Sequence, residues 1–261
     1  MARSQNKEIF KSRIGGIMRK IFALIVLLSL QNYLQAQSKK LDIKIELNKI
    51  YREFEKKDSE LNKKYLVKYK SLLPEKDENR KLKLDSLYRI DYKNYYQELQ
   101  PYNKVKREAL KKLLEKLNNE NPLVGKFTIY VKDDPKDVEK IKIAQKNPDY
   151  ADFEFMGILK SEEKDLVIDL AKINKIRTDF SNNFDSSLFL DAADSVLSAK
   201  IAFILDADGY LKKIKPMEGN EEFAYLCAIT LYQMQKRYEP NKYKGKPILT
   251  RYALPVKMQF K

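Results

Sequence analysis

Residues 197–261 carry strand-like and helix-like apolar patterns in an order that leaves few folds open to them. Ile201, Phe203 and Leu205 are followed by Asp206-Ala207-Asp208-Gly209 and then by a second strand-like run. An apolar helical stretch comes next, EEFAYLCAITLYQMQK over 221–236, then a loop rich in Pro, Gly and Lys. In the closing segment every even position from Ile248 to Phe260 is apolar or Thr. A repeat of two marks a half-buried strand, and Gly209 suits a hairpin turn because it accepts positive φ without a Cβ clash. The order therefore predicts a β-β-α-β unit with a small antiparallel sheet.

This order and several spaced residues resemble the C-terminal domain of the TonB family, the periplasmic part of energy transducers that contact outer-membrane transporters. The resemblance lies in Ile201, Phe203 and Leu205 before Asp208-Gly209, in the helix after Gly219, and in Tyr238-Glu239-Pro240 where the family has an aromatic residue and then Pro. It continues through Gly245-Lys246-Pro247 and the closing Leu254-Pro255-Val256-Lys257-Met258-Gln259-Phe260. It covers roughly a quarter of the chain, and the loop and last strand carry most of its specificity. It implies that the domain adds an extended peptide of an outer-membrane transporter or another envelope protein to its sheet.

Pro255 makes that implication local. Proline has no amide hydrogen and sits in a strand where its nitrogen faces away from the internal ladder. Alternate residues point their backbone groups to the same edge, so without a bulge Leu249, Arg251 and Ala253 share the outward edge with Pro255. The even residues then bond inward, and their apolar face is expected on the 221–236 helix. Leu249, Arg251, Tyr252, Ala253 and Pro255 are the candidate partner-binding residues. Arg251 has two readings, an ion pair to an acidic peptide or an edge charge that discourages aggregation.

Composition removes much of enzymology. The chain has no His, so histidine bases, Ser-His-Asp or Cys-His nucleophiles and histidine-ligated zinc all lack an essential part. Cys227 stands alone within AYLCAITL, which suits a buried small hydrophobe rather than a disulfide or metal ligand. Asp206 and Asp208 superficially match a calcium loop, but Gly comes at the fourth position where that loop needs it at the sixth. There is no phosphate-binding glycine motif. No catalytic residue, metal site or cofactor is assigned.

The N-terminus suggests a destination. Arg19 and Lys20 precede the apolar run IFALIVLLSL, and QNYLQAQS follows with Ala36 at a cleavage-like position, the pattern of a secretory signal over residues 1–36. Met18 competes with Met1 as the start. The run is shorter than the roughly twenty residues a membrane span needs. Without residues 1–36 the formal charge of +15 falls to about +10. The expected location is the periplasm, where nucleic acid is no partner; if the signal is uncleaved, the chain is instead held at the inner membrane, facing the periplasm.

Residues 37–122 read as a helical, coiled-coil-like region forming a hairpin or bundle. Leu47, Ile50, Phe54, Leu61, Tyr65, Tyr69 and Leu72 recur near a spacing of 3.5, and a helix is expected to run to Pro74. A second helix is expected to end near Pro101, and a third to follow through Val105, Leu110, Leu113, Leu114 and Leu117. Residues 123–196 form a mixed α/β segment. KFTIYV alternates as a strand, Asp134-Pro135 opens a helix, and SEEKDLVIDLAKINKI reads as a helix capped by Ser161. The fold class is α+β.

Three functions remain. The first is an exported, non-enzymatic protein that binds an envelope protein or an outer-membrane transporter peptide by strand addition. The second is an anchored TonB-type energy transducer, although the chain lacks both the His in the anchor and the Pro-rich spacer that the family implies. The third is an envelope scaffold acting through the basic helices. A homodimer is the other partner compatible with an open strand edge.

Overall fold

The computed structural model describes residues 40, 42–72, 77–151, 153–186 and 196–259. The expected signal at 1–36 lies outside the described residues, and no described helix is long and apolar enough to cross a membrane. Contacts divide the chain into Met1–Lys44 and Ile45–Lys261. Only residues 40 and 42–44 of the first unit are described, all helical.

Within the second unit, helix α1 (45–65) ends in a short 3-10 turn, Val67–Ser71, earlier than the run to Pro74 that spacing suggests. Helix α2, Glu78–Glu120, is antiparallel to it: Tyr65 meets Glu98 near one end, while Lys116 meets Glu46 near the other. Pro101 does not break α2 into the two expected helices. Its missing N–H leaves only the carbonyl of Gln97, an exposed residue, without its helical donor. Buried Leu99 before it and Leu110, Leu113, Leu114 and Leu117 after it hold both halves to one surface. Burial at about 1.5 to 3 kcal/mol for each such side chain outweighs a proline penalty of about 3 kcal/mol.

The hairpin is not held by leucines alone. Tyr65 donates to Glu98, which also binds Lys64 at 2.8 Å, and Tyr69 donates to Asp91 at 2.6 Å, which also binds Lys68. The same grouping docks the hairpin on the C-terminal unit: Tyr51 donates to Glu222 at 3.1 Å, and Lys106, 8% exposed, binds Glu222 at 2.9 Å with its ammonium 3.6 Å over the Phe54 ring. In a chain without His, tyrosine hydroxyls shared onto lysine-paired carboxylates do the polar work between helices.

Strand β1, Phe127–Val131, pairs in parallel with β2, Glu154–Ile158, across helix α3, Pro135–Gln145. Asp134 caps α3 by accepting from the Lys136 amide at 2.9 Å, as the Asp-Pro pair predicts. The SEEKDLVIDLAKINKI stretch is not one helix. It makes a 3-10 turn at Lys160–Asp165, the two-residue strand β3 at Leu166–Val167, and only then helix α4, Lys172–Asn183. The β-branched pair Val167 and Ile168 sits mid-run, where it favours extended chain.

The predicted β-β-α-β unit is present, and the fold class is α+β. Strands β4, Val196–Leu205, and β5, Leu211–Gly219, form a hairpin through Gly209 at φ 86°, and helix α5, Glu221–Gln233, follows the Asn220 cap. Short strands β6, Asn241–Tyr243, and β7, Lys246–Ile248, lead into β8, Thr250–Gln259. The main sheet has order β5-β4-β8, all antiparallel, while β3 joins β6 and β7 in a second sheet. The described parts of the expected 123–196 segment and of the 197–261 unit are thus interleaved in space. Ile201, Phe203, Leu205, Ile214, Phe223, Cys227, Ile229 and Leu254 fill the core with almost no exposure.

Candidate functional site

The site is built from strand β8 and the segments that end it. β8 pairs with β4 without interruption from Val196↔Gln259 to Leu205↔Thr250, whereas β4 and β5 shift register twice. An unbroken register keeps backbone direction alternating, so one polarity test fixes the whole strand. Pro255, opposite Lys200, has no donor to give β4. Leu249 supplies a second test: its amide points away from β4 and donates to the Phe127 carbonyl of β1 at 3.3 Å. Odd residues therefore turn their backbone groups to the outer edge, and as a separate matter the side chains of Arg251, Ala253, Pro255, Lys257 and Gln259 are all exposed.

Leu249 itself is not available to a guest. It is 1% exposed, its carbonyl accepts from Thr128 Oγ1 at 3.1 Å, and its amide is used by β1. Nothing in the residues around Leu249 signals that β1 returns to this point. From Arg251 onward, no described strand lies on the outer side of β8.

The other candidates separate into two rows. Ala253 lies opposite Ala202 with its own side chain exposed, and Pro255 is likewise exposed. Tyr252 faces the other way: its ring lies 5.9 Å from Phe203, and its hydroxyl accepts from Asn241 Nδ2 at 3.0 Å. Burial pushes the Tyr252 hydroxyl above its ordinary pKa. Tyr252 fixes the strand and takes no place in the outward row. Parity puts the even row on the 221–236 helix, but α5 lies on β4 and β5, and α4 is the helix that meets β8. Sheet order explains this, because α5 lies over the hairpin at the far side.

Asp206 sets where the open row begins. Its carboxylate is fully buried and accepts from the amides of Val124 at 2.7 Å, Gly125 at 2.8 Å and Ala207 at 2.6 Å. Lys212 Nζ adds a contact of 2.7 Å and also reaches Asp208. Burial alone would raise the Asp206 pKa, but Lys212 and the three amides outweigh it and hold the group below its ordinary value. The cluster pins the 124–125 loop beside Leu249, and β1 starts directly after it. The DADG motif is legible as a turn, while its role as an anchor depends on Val124 and Gly125, far earlier in the chain.

Arg251 lies with its guanidinium 4.9 Å from the Tyr150 ring centre, and Tyr150 packs edge-on against Phe153 at 5.3 Å. A cleft beside the hairpin turn is lined by Glu120, Asp208, Tyr210, Lys212, Tyr232 and Lys236. Lys212 and Asp208 are tied to each other and Lys236 to Asp179, so three of these four charges are already held in ion pairs with Lys212, Asp208 or Asp179. Among the described residues no cluster of three or more acidic or Cys groups is placed to hold a metal ion. Comparison with family models, curated proteins and solved structures finds no match.

Proposed function

We propose that this chain is an exported, non-enzymatic protein that captures an extended segment of a partner envelope protein by strand addition to β8. The observation that carries the reading is the outward row of β8, unpaired in the described structure from Arg251 to Gln259. Arg251, Ala253, Lys257 and Gln259 offer donors there, and the same residues with Pro255 offer acceptors. The chain makes one such contact to itself, at Leu249 and Phe127. The secretory pattern at 1–36 and the TonB-like order of strands and helix support the same reading.

Each added bond contributes about 0.5 to 1.5 kcal/mol net, and association costs several kcal/mol. Capture is therefore weak and reversible unless side chains add to it. The test places a photo-crosslinking amino acid at position 253 of the full chain in intact cells. The expected result is an adduct whose crosslinked peptide maps to one segment of an envelope protein, and which fades when the label is moved to position 258 in the row that bonds β4. An adduct that forms equally from position 258 would refute capture along this edge.

A further inference from the structure

The charges around the open row say what the captured segment carries, and this step rests on the strand-addition reading above. After Glu239 the chain contains no Asp or Glu, while Lys242, Lys244, Lys246, Arg251, Lys257 and Lys261 all follow. Lys242 and Lys244 are neutralised by Glu239 and Glu162. Arg251 and Lys257 have no carboxylate partner among the described residues, and both belong to the outward row of β8. A segment laid along this row meets two uncompensated cations.

Arg251 is prepared for that contact. Its place over the Tyr150 ring, itself braced by Phe153, steadies the guanidinium and leaves N–H groups for a bidentate acceptor. Holding the side chain in advance lowers the entropy lost on binding. A second copy of this chain fits the row poorly. Pairing β8 with itself offers Arg251 and Lys257 no carboxylate, because neither strand contains one, and places a donorless Pro255 in each.

We infer that the captured segment is acidic and carries two carboxylates six residues apart. Arg251 and Lys257 lie on one face of β8 with that separation, and residues directly opposite them on a guest strand share a face and the same spacing. A spacing of five would send the second carboxylate to the other face.

The test uses the full chain and three nine-residue peptides that alternate threonine and valine. One carries glutamates at positions two and eight, one carries glutamates at positions two and seven, and one carries lysines at two and eight. Backbone amide shifts of Arg251, Ala253 and Lys257 report binding at the edge. The six-spaced acidic peptide is expected to bind about ten-fold tighter than the lysine peptide and about three-fold tighter than the five-spaced one, as two exposed ion pairs allow. Arg251→Glu should abolish or reverse the preference, and Lys257→Glu should act in the same direction.

Equal affinity of the acidic and lysine peptides at these amides would overturn the acidic inference and leave strand addition standing. Equal affinity of the two acidic peptides would overturn the spacing of six. No shift at these amides with any peptide would overturn strand addition itself, and the inference with it.

Discussion

Replacing Asp206 tests the anchor that delimits the binding edge. In Asp206→Ala three amide donors and the Lys212 ammonium lose their common acceptor, and Lys212, 5% exposed, keeps only Asp208. Breaking a buried pair from one side costs about 3 to 5 kcal/mol. Val124 and Gly125 lie in a loop that can rehydrate, so the lower part of that range, about 3 to 4 kcal/mol, is expected. With a urea slope of about 2 to 3 kcal/mol per molar, the unfolding midpoint should fall by roughly 1 to 2 M. Adding Lys212→Met removes the stranded ammonium, and the double variant should cost at least about 1 kcal/mol less than the two single costs together. The carboxyl is held below its ordinary pKa, so its stabilisation is complete above the unfolded value of about 3.9 and is lost as pH falls through the lower folded value. The difference between wild type and Asp206→Ala should shrink in acid. A loss under about 1 kcal/mol at neutral pH, or strictly additive variants, would refute the reasoning.

Other contacts make their own demands. Glu222→Ala leaves Lys106 buried between Tyr51 and Phe54 without its carboxylate, and should cost about 2 to 4 kcal/mol in urea unfolding, partly recovered by Lys106→Met. Gly209→Ala should cost about 2 to 4 kcal/mol, because φ is 86° and a Cβ would stand 2.3 Å from the Tyr238 carbonyl oxygen. Burial and then Glu222 push the Tyr51 hydroxyl well above its ordinary pKa. A raised value stabilises below the unfolded pKa of about 10 and fails as pH rises beyond it, so Tyr51→Phe should flatten the alkaline loss of stability seen in thermal unfolding.

What the sequence disclosed and what it hid divide along the range of the interactions. Alternation in β8, the Asp134-Pro135 start of α3 and the DADG turn are set by neighbours a few residues apart, and each appears where expected, whereas β4 is buried on both faces from Ile201 to Leu205. The parity of Pro255 carries correctly along β8 because no bulge intervenes. Leu249 departs from its expected role because its partner, Phe127, is 122 positions earlier in the chain. Pro101 fails to end a helix for a related reason: helix-breaking is a local cost, and the leucines that outweigh it act through packing with the rest of the fold. The stretch from Ser161 differs in another way, since its strand β3 exists only by pairing with β6. Tyr150 and Asp206 carry no local signal of their roles at the edge.

Backbone amide exchange along β8, measured by NMR on the free chain, addresses the open edge most directly. The amides of Tyr252, Leu254, Val256 and Met258, which face β4, should be protected, while those of Arg251, Ala253 and Lys257 exchange quickly. Strong protection of Ala253 and Lys257 in the absence of any partner would show the edge already occupied, and would contradict the account.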